Sequence, residues 1–239
     1  MPLNKARGNM YDFVTHTHAH LGGECPHRCV YCYVDNPRFG RPEKYTGEIR
    51  IIEKELAVNY GSGKKIFVEN CGDMFAVKVP HEFILKILEH CCRYPDNIYI
   101  FQSKNPARFK EYTDLFPPRI MLGTTAETNH SHSFVHPVGL ISLAPPPVER
   151  CGAMAGIYRR KFITIEPILD FDVDAFAQML IMARPSFINI GADSKGHGLP
   201  EPDFEKVEAL IAKLKKAGIE IREKHNLERL KNEGLADDI

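Results

Sequence analysis

Short β-rich runs alternate along this chain with stretches whose apolar residues recur at helical spacing, and that alternation leaves few folds open. The runs are Tyr11–His18, Lys65–Asn70, Asn97–Gln102, Arg119–Thr124, Lys161–Glu166 and Phe187–Gly191, with a seventh expected near Ile219. Between them, Phe83, Ile84, Ile87, Leu88 and Cys91 keep a helical period, as do Val173, Phe176, Ala177, Leu180 and Ile181. A third series, Phe204, Val207, Leu210, Ile211 and Leu214, ends on Lys215, Lys216 and Gly218, a basic last turn followed by a glycine stop. Strand–helix repeats of this kind give parallel strands with helices outside. A parallel sheet covered on both faces should be apolar on both. Here Phe162, Thr164 and Glu166 oppose Ile163 and Ile165, and Asn189 and Asp193 oppose Ile188 and Ile190. A face that turns polar toward the C-terminal strand ends suits an α/β fold of the partial (β/α)6-type barrel, with parallel strands, outer helices and a site in the upper interior.

At 239 residues the chain is read as one domain, with an N-terminal arm over residues 1–10, a core over 11–218 and a C-terminal extension over 219–239. Hydrophobic residues make up 44% and charge is interspersed, which excludes a disordered chain. Lys and Arg number 31 against 31 Asp and Glu, so the molecule as a whole has no attraction for phosphate backbones or anionic lipid, and any basic groove must be local. The N-terminus has no apolar signal core and no run is long enough to span a bilayer. The expectation is a cytoplasmic protein with no membrane partner. Its seven cysteines, an odd number partly clustered, read as metal chemistry rather than a disulfide framework.

The cluster is Cys25, Cys29 and Cys32, in the segment Glu24-Cys25-Pro26-His27-Arg28-Cys29-Val30-Tyr31-Cys32-Tyr33 directly after the first expected strand. Thiolates suit iron–sulfur clusters, and zinc can also use them. Three ligands are an incomplete set, which leaves a metal with an open position. The Cys-x3-Cys-x2-Cys spacing, with Tyr31 before the third cysteine, resembles the signature of the radical S-adenosylmethionine (radical SAM) superfamily. The segments 67–75, 101–106, 123–129, 164–167 and 189–194 resemble blocks of an uncharacterised phage- and bacteria-borne family within it. The Cys-Val-Tyr-Cys-Tyr run is also similar to the cysteine loop of spore photoproduct lyase, which repairs a DNA lesion. The resemblance implies a partial or full (β/α) barrel and a 4Fe-4S cluster on the three cysteines. The open iron would bind SAM, and reductive cleavage would yield a 5′-deoxyadenosyl radical that takes hydrogen from a substrate. It also implies an electron donor such as a flavodoxin or ferredoxin, and permits a nucleotide or nucleic-acid substrate.

Further candidates follow from position at strand ends. Asn70, Cys71, Gly72 and Asp73 stand where radical SAM proteins place a Gly-Gly-Glu-like segment for the SAM amino group, although here the letters are Cys-Gly-Asp. Leu21-Gly22-Gly23-Glu24 has those letters literally, but before the cysteines, and is discounted. Ser103 and Lys104 close the third strand, where Ser103 can reach a ribose hydroxyl. Glu127 and Glu166 end the fourth and fifth and can bind SAM ribose or substrate, or else form structural ion pairs with Lys104, Arg159 or Arg160. Asn189, Asp193 and Lys195 follow the sixth and are candidates for the substrate pocket. Cys71 is a candidate hydrogen donor. Cys91, Cys92 and Cys151 read as small core hydrophobes. Arg28, Arg38, Arg41 and Lys44 are candidate phosphate contacts, with solvated loop charge the plainer alternative.

Two other function classes stay open. One is a non-catalytic zinc or iron–sulfur partner module, in which the cysteines serve folding alone, with His27 or a neighbour as a fourth ligand. The other is a metal-dependent hydrolase: strand alternation puts His16, His18 and His20 on one face, as in amidohydrolases, but the later strand ends offer Glu166 and Asp193 and no histidine. Gly61-Ser62-Gly63-Lys64-Lys65 resembles half a P-loop, precedes its strand and is rejected. The irregular stretch from Glu127 to Pro147, with His130, His132 and His136, is long enough to serve as a lid or binding loop, and equally as a surface excursion.

Overall fold

The computed structural model describes residues 3–35, 43–130, 135–136 and 139–234. Its main sheet has eight strands: β1 (Asn4–Lys5), β2 (His16–His18), β3 (Lys65–Val68), β4 (Ile98–Gln102), β5 (Ile120–Thr125), β6 (Lys161–Ile165), β7 (Phe187–Ile190) and β8 (Glu220–Glu223). They lie in the sheet in the order they occur in the chain. β1 pairs antiparallel with β2, and the registers of β2 with β3, β3 with β4, β4 with β5, β6 with β7 and β7 with β8 are parallel. Sequential parallel order is the topology that a one-directional βα series must produce, because each crossover returns the chain to the next position on the same edge. The arm and the C-terminal extension are not appendages, since each adds an edge strand to the sheet. The first strand is shorter than its sequence run: residues 11–15 stay outside it, and Phe13 stacks on Tyr11 at 5.2 Å between ring centroids.

Helices α1 (His81–Cys92), α2 (Pro147–Ala155), α3 (Val173–Met182), α4 (Phe204–Lys216) and α5 (Glu228–Gly234) accompany the strands. α4 buries Val207, Leu210, Ile211 and Leu214, the stripe its period requires. It stops as the sequence indicates. Ile219 N donates to Leu214 O at 3.1 Å and Gly218 N to Lys215 O at 2.9 Å around Gly218 at φ 80°, a Schellman closure that an L side chain would strain. α1 buries Ile84, Ile87, Leu88 and Cys91, but Cys92 is exposed, which corrects its reading as core: one residue beyond Cys91 turns about 100° off the apolar stripe. Cys151 on α2 is buried, as expected. α2 itself was not visible in the Pro-rich sequence before it.

The chain divides into two compact units, residues 1–28 with 32–123 and residues 29–31 with 124–239, so the division falls inside β5 and inside the cysteine loop. The first is packed around an aromatic group in which Phe75 meets Phe101, Phe109 and Tyr112 at centroid separations of 6.2, 4.8 and 5.7 Å. In the second, every residue of β6 and β7 is buried. Thr164 and Asn189, on the polar face read from the sequence, meet there through Asn189 Nδ2 and Thr164 Oγ1 at 3.3 Å. The stretch from residue 127 to 147 contains a small ladder of Val135–His136 with Gly139–Leu140. Arg38, Arg41 and His132 lie outside the described residues.

Candidate functional site

In the first unit, β2 runs into a short ladder, Leu21–Gly22 with Arg50–Ile51, that delivers the chain to Cys25. The approach is tight. A Cβ on Gly22 would stand 2.7 Å from Lys44 O, and one on Gly23, at φ +93°, would stand 2.2 Å from Glu48 O. The Gly22-Gly23 pair therefore serves backbone packing. Past Cys25 the chain turns, with Arg28 N donating to Cys25 O at 3.3 Å, and His27 is directed inward.

His27 Nε2 meets Asp73 Oδ2 at 2.7 Å, and both side chains are buried. The same carboxylate oxygen accepts from Ser103 Oγ at 2.9 Å and Lys104 N at 2.8 Å, while Oδ1 accepts from Phe75 N at 2.9 Å. Burial pushes the Asp73 pKa up, but the bonds from His27, the Lys104 amide and Ser103 outweigh it and hold the group below its ordinary value. The ends of β3 and β4 are thus tied to the cysteine loop through one carboxylate. Asp73 and Ser103, both candidates for the cofactor, are joined to each other.

Cys71 sits in a polar ring: Asn70 Nδ2 is 3.2 Å and Tyr33 OH 3.4 Å from its Sγ, and Tyr45 also hydrogen-bonds it. Tyr33 OH further donates to Asn70 O. Burial, then the neighbouring Cys71, keep both phenols protonated well above their usual range. Gly72 is different from the glycines before the cysteines. Its φ is not positive, and a Cβ there would meet no described atom within 4 Å, so neither backbone nor packing demands glycine.

In the second unit, residues 29–31 are held by their own contacts. Val30 N donates to Ile141 O at 2.9 Å, Cys29 Sγ lies 3.1 Å from Ser142 Oγ, and Val30 and Tyr31 pack on Ile141, Leu169 and Leu199. Tyr31 OH donates to Glu127 Oε1 at 2.5 Å, and Arg150 of α2 pairs with Glu127 Oε2 at 3.0 Å while also donating to Thr125 O at 2.7 Å. Burial, followed by the charges of Cys29 and Glu127, pushes the Tyr31 phenol far above its ordinary range, so it remains a donor. Glu166 pairs with Lys224 at 2.6 Å and accepts from Asn226 Nδ2 at 2.9 Å, both beyond β7 in sequence. Arg150 and Lys224 are thus cations on these two carboxylates that the sequence did not suggest. Asp193 organises its loop, accepting from Lys195 N at 3.0 Å and meeting His197 Nδ1 at 2.7 Å. A cavity of about 750 Å³ lies there, lined by Asp193, Ser194, Glu201, Asn226 and Arg229 among others.

The three cysteines are partly exposed and none of the seven is in a disulfide. Their donor set fits an iron–sulfur cluster, which spreads its thiolates over separate irons. Sequence reasoning did not find Tyr45, Ser142, Arg150, Lys224 or Asn226, because none carries a local signal, and it met Tyr33 only as a letter of the cysteine-loop motif. Of the histidine strand, His18 and His20 are buried, His16 is half-buried against Thr15, and the partner brought to them is His90 of α1. Lys44 faces inward, with Nζ donating to Ala19 O at 2.7 Å, whereas Arg28 pairs with Glu24 on the surface.

Sequentially ordered parallel strands with a cysteine loop behind the first of them define a class of α/β sheet protein. Within it, the fold is that of spore photoproduct lyase. A cysteine-to-serine variant of that enzyme superposes with a TM-score of 0.60 at 9% identity, over 90% of this chain and 78% of that one. The enzyme complexed with dinucleoside spore photoproduct gives a TM-score of 0.59 at 9% identity, over 90% and 78%. A double variant with bound AdoMet and the dinucleoside gives 0.53 at 11% identity, over 87% and 63%. At such identities the likeness is one of fold. No protein-family model and no curated protein matches the chain. Among the described residues no helix is long and apolar enough to cross a membrane.

Proposed function

We propose that the chain is a radical SAM enzyme in which Cys25, Cys29 and Cys32 hold a 4Fe-4S cluster. The observation that carries this reading is the conjunction of the three-cysteine loop with a fold shared, over nine-tenths of the chain, with a lyase whose structures include bound AdoMet. With cluster and SAM bound, the cofactors would supply a 5′-deoxyadenosyl radical; the protein's share is orientation and exclusion of water. Asp73, through His27, Ser103 and Lys104, sets the cysteine loop against the ends of β3 and β4. Gly72 leaves its surroundings clear for the SAM amino acid, near Asn70. Tyr31 and Glu127, stiffened by Arg150, support residues 29–31 and the strand end that faces the cofactor. Glu166, Asn189 and Asp193 are assigned to substrate. Cys71, among Tyr33, Asn70 and Tyr45, is assigned to give the hydrogen atom of its S–H bond to the product radical, and the thiyl radical left on Sγ would return to the thiol by taking one electron from the same external donor and one proton.

The substrate class proposed is a nucleotide or nucleic acid, and the fold neighbours that hold a dinucleoside photoproduct are what support it. A flavodoxin or ferredoxin would supply the electron, and a cytoplasmic setting would keep the thiols reduced. The test is anaerobic: iron and sulfide content, then 5′-deoxyadenosine formation with a chemical reductant, with and without irradiated and unirradiated DNA. Stoichiometric cluster and SAM cleavage, abolished by replacing the three cysteines with Ala in a chain that stays folded, supports the enzyme. Stoichiometric zinc on the cysteines and no SAM binding supports the partner module. Cleavage unaffected by any DNA would remove the substrate proposal and leave the enzyme class standing.

A further inference from the structure

Three histidines in the first unit turn ring nitrogens toward one another. His18 ends β2, His20 follows it and His90 stands on α1; all are buried, and their ligand atoms lie within 4.8 Å of one another. Each ring has its outward nitrogen on an acceptor. His18 Nε2 faces Glu55 Oε2 at 3.1 Å, His20 Nδ1 faces Glu69 Oε1 at 2.7 Å, and His90 Nε2 faces Val58 O at 2.8 Å. Glu69 is held as an acceptor by two amides, His20 N at 2.6 Å and Leu21 N at 3.2 Å. Protons on the outward nitrogens leave lone pairs on the inward ones. Into the space between them comes Tyr60 OH, 2.7 Å from His18 Nδ1 and 2.9 Å from His20 Nε2, while His20 Nε2 is 2.8 Å from His90 Nδ1.

Three lone pairs therefore meet with one hydroxyl proton among them. Left to itself such a group is short of donors, with acceptors facing one another in a buried place. A cation on the inward nitrogens removes the deficit. Histidine ligands that give their other N–H to a carboxylate or carbonyl are the outer arrangement that metal sites use to fix tautomer and ring orientation. We propose that His18, His20 and His90, with the Tyr60 oxygen as fourth donor, bind a zinc ion in a closed, structural site. Imidazole and oxygen donors suit zinc, whose bonds of about 2.0–2.1 Å need only a slight spreading of the rings. Tyr60, His20 and His90 are fully buried, so no side of the site is open to a substrate, which sets it apart from the hydrolase arrangement suggested by the strand alone. The proposal is independent of the cysteine loop.

The test is anaerobic titration of the Cys25→Ala/Cys29→Ala/Cys32→Ala chain with Co²⁺ and Zn²⁺ alone. One equivalent of cobalt with visible d–d bands and no sulfur-to-metal charge transfer, displaced by zinc, is expected. Glu55→Gln, at a carboxylate that meets the outward nitrogen of His18 and also Lys44 at 3.5 Å, should weaken binding by about 10- to 100-fold, and His90→Gln should abolish it. A folded triple variant that binds neither metal, or binding that ignores both substitutions, overturns the proposal. Should the triple variant not fold, the wild-type chain decides: imidazole-type bands free of charge transfer support the site, and thiolate-ligated cobalt alone overturns it.

Discussion

Asp73 shows how much one side chain can organise. Its carboxylate gathers an imidazole, a hydroxyl and two amides from three segments, and Asp73→Asn would replace a charged acceptor with one that brings its own unneeded donors. The expected cost is about 1–3 kcal/mol, read as a shift of the urea midpoint with an unchanged slope. The sign of the pH dependence follows from the depressed pKa. Folding stability from Asp73 is fully present above the ordinary carboxylate value and is lost as pH falls through the lower folded one, so the acid limb of the wild-type curve should flatten in Asp73→Asn. Gly72 makes the opposite prediction. Gly72→Ala adds a methyl where no described atom lies within 4 Å, so stability should stay within about 0.5 kcal/mol while SAM affinity, measured by equilibrium dialysis of the reconstituted protein, falls. Unchanged affinity would take Gly72 out of the cofactor site. Cys25, Cys29 and Cys32 stood out in the sequence as proposed metal ligands because three cysteines at close spacing have few other uses. The tie from His27 to Asp73 was not, because 46 residues separate the partners.

At the scale of elements, the loops at strand ends owe their paths to contacts of two kinds. Residues 22–23 are squeezed against the Lys44 and Glu48 carbonyls, so Gly23→Ala should destabilise by about 1–3 kcal/mol or more through strain and overlap, measured by thermal unfolding. The loop at Tyr31 depends instead on α2, whose Arg150 is buried against Glu127. Arg150→Ala removes a buried cation from that carboxylate and should cost about 3–5 kcal/mol, whereas Tyr31→Phe should cost about 1.5–3 kcal/mol; equal losses would contradict the arrangement. α3 and α4 could be read from periodicity since each carries an apolar stripe at helical spacing, opposed in α4 by a charged face. α2 could not, because two prolines precede it, a third opens it and its apolar stripe is short. Cys92 was misplaced because it lies past the edge of the apolar stripe, about 100° around the helix from Cys91.

For the molecule as a whole, the sheet order follows the chain order, yet its last strand lies in what reads as an extension. β8 covers the edge of β7, and the segment after it brings Lys224 and Asn226 to Glu166. A chain ending at Gly218 should therefore unfold at a midpoint lower by about 10 °C, and should aggregate through the opened edge. A truncated chain with an unaltered midpoint would show that the extension is dispensable. Periodicity, turn residues and cysteine spacing are local quantities, and they were enough to determine the α/β class and the parallel order and to single out the loop proposed to hold a metal cluster. Which cation meets Glu127 or Glu166, what surrounds Cys71, and the meeting of His18 and His20 with His90 were decided only in the tertiary structure. Apart from Asn70 beside Cys71, these pairings join residues from about 20 to more than 70 positions apart, and a side chain's partner at such range is chosen by how strands and helices pack, for which no neighbouring letter supplies a signal.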